Sequence, residues 1–124
     1  MRFVPALAWA AAISWLSSMP DPPGPGPVFP GFDKVVHAGA YALLLALVLY
    51  GDRFPRETRR LLGWVVAVAA YGALDEVHQA FVPARQADVL DFVADALGAA
   101  VVALTWRAIA GQRAQADRAG LNQR

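Results

Sequence analysis

Leu61-Leu62-Gly63-Trp64-Val65-Val66-Ala67-Val68-Ala69-Ala70-Tyr71-Gly72-Ala73-Leu74 carries no charge, and the chain then breaks into Asp75-Glu76-Val77-His78-Gln79. The apolar residues surround a helix on every side instead of forming a stripe. A helix of a water-soluble bundle keeps a polar face along its length, and neither 61–74 nor 96–106 has one. Extended to Val82, the stretch meets the roughly 20 helical residues needed to cross a hydrocarbon core about 30 Å thick. It reads as a membrane span that turns polar at its far end.

Three more stretches follow the same rule: 3–19, 32–50 and 88–106. The expected fold is therefore all-α, a four-transmembrane-helix bundle of residues 1–106 followed by a flexible polar tail, 107–124. The composition agrees. Of 124 residues, 57% are apolar and 17% charged, against about 25% charged in ordinary soluble domains. The length fits a single domain. With no cysteine, disulfides, thiolate metal sites and cysteine nucleophiles are excluded. No basic stripe is interleaved with aromatics, so a nucleic-acid partner is not expected. Residues 20–30 hold six of the nine prolines and cannot be helical; they read as an extended strap. The competing reading of 1–19 as a cleaved signal peptide lacks a small-residue cleavage site at Ser17-Ser18-Met19-Pro20.

Charge sets the expected orientation. Lys and Arg concentrate on the cytoplasmic side of membrane proteins. Arg2, Arg53, Arg56, Arg59, Arg60, Arg107, Arg113, Arg118 and Arg124 fall on one side of the four spans, and Lys34 and Arg85 on the other. Both termini are thus expected on the cytoplasmic side of a multi-pass membrane protein. Tyr50, Trp64 and Trp106 fall at cytoplasmic span ends and Trp15 near an outer one, where interfacial aromatics belong.

The polar residues inside the spans carry the functional signal. An ionisable group near the bilayer centre costs about 2.5–3.5 kcal/mol on the insertion scale, so such groups face a bundle interior or a wet cavity. Asp88, Asp91 and Asp95 are spaced i, i+3, i+7 and share one helical face. Asp75, His78 and Gln79 share another, with Glu76 beside it. Lys34, His37 and Tyr41 share a third, and Asp33 aligns with His37. The three stripes reach similar depth on the same side, so the second, third and fourth helices should enclose a polar pocket open to the outside. Lys34 and Arg85 would meet phosphate there, and the carboxylates would meet ammonium or hydroxyl groups. Asp75 or Glu76 with His78 would suit acid–base catalysis. His37, His78 and the aspartates would suit a divalent ion such as Mg, Mn or Zn, although no cofactor is required by the pattern. A purely structural polar knot and a proton or ion path are the remaining readings; a path should continue into the inner half, where 65–70 and 96–105 offer no relay beyond one terminal Thr. Ala38, Gly39 and Ala42, and Ala94 and Gly98, would let helices approach closely.

Asp33-Lys34-x-x-His37, Tyr41, Leu74-Asp75-Glu76-x-His78-Gln79-x-Phe81-x-Pro83-x-Arg85, Asp88-x-x-Asp91 and Asp95-x-x-Gly98 together resemble the VanZ-like family of small bacterial membrane proteins. The resemblance covers residues 30–106. It implies a four-helix integral membrane protein of the cell envelope, and the family takes its name from a teicoplanin resistance protein. Family members usually carry Asn where this chain has Asp95. The expected function is binding or modifying a lipid- or peptidoglycan-related molecule, with membrane lipids as partners and glycopeptide resistance as an associated phenotype. The alternatives are a membrane-embedded hydrolase or transferase using Asp75, Glu76 and His78, and a non-catalytic scaffold. The sequence carries no signature of oligomeric state.

Overall fold

A computed structural model describes residues 1–23, 28–55 and 57–121, with side chains to Ala116. Four helices follow one another: α1 (Val4–Ser17), α2 (Phe32–Gly51), α3 (Thr58–Gln79) and α4 (Val89–Leu121). Three are long and apolar enough to cross a membrane, and α1 is a shorter apolar helix. Its 14 residues span about 21 Å at about 1.5 Å each, less than the 3–19 span expected. The helix stops because Ser18 bonds back to the α1 carbonyls and Pro20 follows. The middle of the strap, 24–27, lies outside the described residues, as does Arg56 of the 51–60 loop.

The fourth helix does not end at Trp106. It continues to Leu121, past residue 106, at which the sequence reading ends the span. The physical reason is local: 107–116 is rich in Ala, Arg and Gln, good helix formers, and contains no proline. At its other end α4 begins at a cap. Asp88 Oδ1 accepts the Leu90 N–H at 2.8 Å, and its carbonyl accepts the Asp91 N–H at 2.9 Å, the usual work of an Asp N-cap. A turn delivers the chain to this cap. The Arg85 N–H donates to the Val82 carbonyl at 3.1 Å, Pro83 sits at the second position, and Ala84 takes φ +64°, as type II turns require of their third residue. Before α2, Gly31 at φ +83° has open space around it. What selects glycine there is the left-handed backbone, not crowding.

The core runs along α2. Tyr41, Leu44, Leu45, Val48 and Leu49 are buried against Ala99 and Ala103 of α4, Leu61 and Val68 of α3, and Ala6 and Ile13 of α1. The tightest crossing is between α2 and α4, where a Cβ added at Gly98 would overlap the Ala38 carbonyl. Small residues let backbones approach in this way when lipid offers no hydrophobic drive for helix association. Ala94, one turn before Gly98, is buried; Gly39 has nothing within 4 Å and is not part of the crossing. Leu62, Val66, Leu74, Val77, Leu97, Val101 and Leu104 point outward and stay exposed. An outer surface of that kind suits acyl chains.

Candidate functional site

The bundle's polar side chains gather at the end where α1 and α3 finish and α2 and α4 begin. Lys34, one turn into α2, ion-pairs with three carboxylates: Asp33 at 2.8 Å, Asp88 at 2.6 Å and Asp91 at 2.7 Å. Asp88 lies outside the apolar spans, and the Lys34 ammonium with the Leu90 N–H holds its carboxyl below the usual aspartate range. One turn deeper, His37 Nδ1 lies 3.0 Å from Asp95 Oδ1 and 3.9 Å from Glu76 Oε1. The other ring nitrogen, Nε2, is 4.0 Å from Asp91 Oδ2. Glu76 is shared between two tasks. Its Oε2 accepts the Asp88 N–H at 2.9 Å, tying the end of α3 to the start of α4, while Oε1 has no hydrogen-bond partner among the described residues. Asp95 Oδ2 and the Tyr41 hydroxyl are likewise buried without a partner among them.

A second group forms on the α1 side. Ser17 Oγ donates to Asp75 Oδ2 at 2.7 Å, Gln79 Nε2 donates to the same oxygen at 3.2 Å, and the Arg85 guanidinium donates to Gln79 Oε1 at 2.8 Å. His78 stands apart on the exposed face, with Nε2 at 3.0 Å from Ser18 Oγ. Asp75, Glu76 and His78, the sequence candidates for catalysis, are therefore not drawn together. Asp75 turns to α1, Glu76 to α2 and α4, and His78 outward.

Between these groups lies a cavity of about 970 Å³, bounded by α1, the start of α2 and residues 28–31. Asp33, His37, Tyr41, Asp75 and Arg85 reach it, and most of the remaining wall is apolar, including Ile13, Leu16, Phe29, Phe32 and Val36. The single polar pocket expected from the sequence is thus divided. Five of its residues border the cavity; Lys34, Glu76, Asp88, Asp91 and Asp95 stand behind it as an ion-pair cluster; Gln79 anchors Arg85. The contribution of α1 was not anticipated. Its signal was present in the sequence, because Ser14, Ser17 and Ser18 share one face at i, i+3, i+4, and Ser14 Oγ and Tyr71 Oη meet at 2.6 Å.

A short all-helical chain with an apolar exterior and a charged cluster inside one end is a membrane protein. A family model described as VanZ/LLP1 matches residues 2–110, nearly the whole bundle. The chain belongs to the VanZ/LLP1 family. No curated protein and no solved structure shows a significant match to it.

Proposed function

We propose that this protein sits in the bacterial inner membrane with both termini cytoplasmic, and that its polar end binds an amphiphilic molecule of the cell envelope, a lipid or lipid-linked peptidoglycan precursor. The cavity beside the charged cluster carries this reading. One wall, from Ile13, Leu16, Phe29, Phe32 and Val36, suits an acyl or polyprenyl chain, while Arg85, Asp33 and His37 stand on the same cavity and suit a phosphate or amine headgroup. Its volume falls in the range of pockets that bury a small ligand, about 300–1,000 Å³. The orientation rests on the Lys/Arg distribution. The VanZ/LLP1 family, with a teicoplanin resistance protein as the namesake of VanZ-like proteins, makes teicoplanin susceptibility the phenotype to measure.

Native mass spectrometry of the detergent-solubilised protein tests the binding directly. A lipid adduct is expected on the wild type and is expected to fall at least tenfold in Arg85→Ala. An unchanged adduct in that variant, or none in the wild type, removes the proposal. Cysteine labelling at position 21 from the outside of intact cells tests the orientation. The catalytic alternative would have to be rebuilt around His37, because His78 is turned away from both acids.

A further inference from the structure

We infer that His37, Glu76 and Asp95 form a binding site for a single divalent first-row metal ion, chemically of the Mn²⁺ or Zn²⁺ type. This site does not depend on the amphiphile proposed above. One ligand atom from each residue lies within 4.8 Å of the others. His37 Nδ1 is the common neighbour, 3.0 Å from Asp95 Oδ1 and 3.9 Å from Glu76 Oε1. Donors around such an ion each sit about 2.0–2.2 Å from it, so closure requires only small side-chain adjustments.

Two independent observations separate this trio from an ordinary acidic patch. First, the trio holds buried oxygens that are unpartnered among the described residues, Glu76 Oε1 on the His37 side and Asp95 Oδ2 toward Gly72. Glu76 is 6% exposed and Asp95 0%, yet Glu76 Oε1 and Asp95 Oδ2 have no hydrogen-bond partner among the described residues. Buried polar atoms are nearly always paired. Second, the basic residues at this end are engaged elsewhere. Lys34 pairs with Asp33, Asp88 and Asp91, and Arg85 with Gln79. Two buried carboxylates therefore face one imidazole with no cation from the described residues between them, and a divalent ion supplies the missing charge. An imidazole with two carboxylates suits Mn, Fe or Zn better than a purely oxygen-seeking ion. The surroundings fit as well: His37 Nε2 faces Asp91, Glu76 Oε2 is fixed by the Asp88 N–H, and held ligands of this kind orient a metal site. His37 borders the cavity, which gives an ion its route in. His78, a ligand candidate in the sequence, is bonded to Ser18 instead.

The test uses the full chain in detergent, tag removed and dialysed against chelator, titrated with MnCl₂ or ZnCl₂ alone. One equivalent is expected to bind, with affinity falling at least tenfold in Glu76→Gln and in His37→Gln, while His78→Gln binds as the wild type does. Pulsed electron paramagnetic resonance of the Mn²⁺-loaded wild type is expected to show one coordinated imidazole nitrogen, a readout that does not require any variant to fold. The inference is overturned by a folded wild type that takes up neither ion at millimolar concentration. It is equally overturned by bound Mn²⁺ with no histidine nitrogen, or by variants that bind unchanged.

Discussion

The two ends of the bundle solve the same problem in opposite ways. At the end opposite the cavity, where α2 passes into α3, the described arginines are exposed, and the polar groups that reach inward are paired. Asp52 accepts from Arg60 and, at 2.6 Å, from Trp64 Nε1, and Trp106 Nε1 donates to the Pro55 carbonyl at 2.9 Å. The cleft there, about 330 Å³, is lined almost wholly by apolar groups such as Phe3, Leu7, Leu44 and Val48. At the polar end six carboxylates, from Asp33, Asp75, Glu76, Asp88, Asp91 and Asp95, face only Lys34 and Arg85 as permanent cations among the described residues. One end is finished as a structure. The other holds charge that these side chains do not neutralise, which is the condition expected where something else binds.

The largest effect expected from a single substitution lies at the crossing that supports the polar end. In Gly98→Val the new side chain meets the Ala38 backbone, which cannot swing aside as a side chain can. Overpacking costs about 1–3 kcal/mol where the core can give, and more is expected here. Gly63→Ala near the opposite end has nothing within 4 Å and is expected to be neutral, or to gain up to about 1 kcal/mol of helix propensity. Thermal unfolding in detergent separates the two. Equal behaviour of the two variants would show that α2 and α4 are not clamped at Gly98.

The next effect has opposite signs at the two ends. A buried carboxylate with an unpaired oxygen carries a desolvation cost that a neutral amide of the same shape largely avoids. Glu76→Gln combined with Asp95→Asn should therefore raise the unfolding midpoint of the metal-free protein while weakening metal binding. Asp52→Asn should lower the midpoint, because Asp52 already has its partners. If both changes lower it, the carboxylates at the polar end are structural after all and the contrast fails.

How much of this the sequence disclosed depends on the kind of signal. The α3 segment 61–79 was readable because an all-round apolar helix has one stable home, and the i, i+3, i+7 aspartates were readable because helical geometry fixes their face. The structure brings His37 against Glu76, Asp91 and Asp95, but it sends Asp75 to α1 and His78 to the exposed face. Three things were not legible. The partition of Lys34 among Asp33, Asp88 and Asp91 depends on distances between helices. Asp75 and Glu76 diverge because consecutive residues point about 100° apart, which spacing alone reveals only once the neighbours are placed. The length of α4 was missed because polarity was read as an end, whereas helix propensity carries on through Arg107 and beyond.

Smaller effects come from single hydrogen bonds. Ser17→Ala removes a donor from the buried Asp75 carboxylate and is expected to cost about 1.5–3 kcal/mol, the range for bonds to charged groups. Trp106→Phe removes a neutral bond to the Pro55 carbonyl and should cost about 0.5–1.5 kcal/mol for that bond. A larger loss at Trp106 than at Ser17 would contradict the view that the polar end holds the more consequential groups.

The smallest effect sharpens the role of Lys34. Asp88 is exposed, and its carboxyl is held below the ordinary aspartate value by Lys34 first and the Leu90 N–H second. A depressed carboxyl contributes stability that is fully present above the ordinary pKa of about 3.9 and fades as pH falls through the lower folded value. Asp88→Asn keeps an acceptor for the Leu90 N–H but loses the ion pair. The difference in unfolding midpoint between wild type and Asp88→Asn should be constant from about pH 5 to 7 and shrink below about pH 4. Asp33 and Asp91 still hold Lys34 in the variant, so the gap should be small at every pH. A wild type less stable than Asp88→Asn at pH 7, with the gap closing on acidification, would mean that the Asp88 carboxylate opposes folding and that the Lys34 ammonium does not stabilise it.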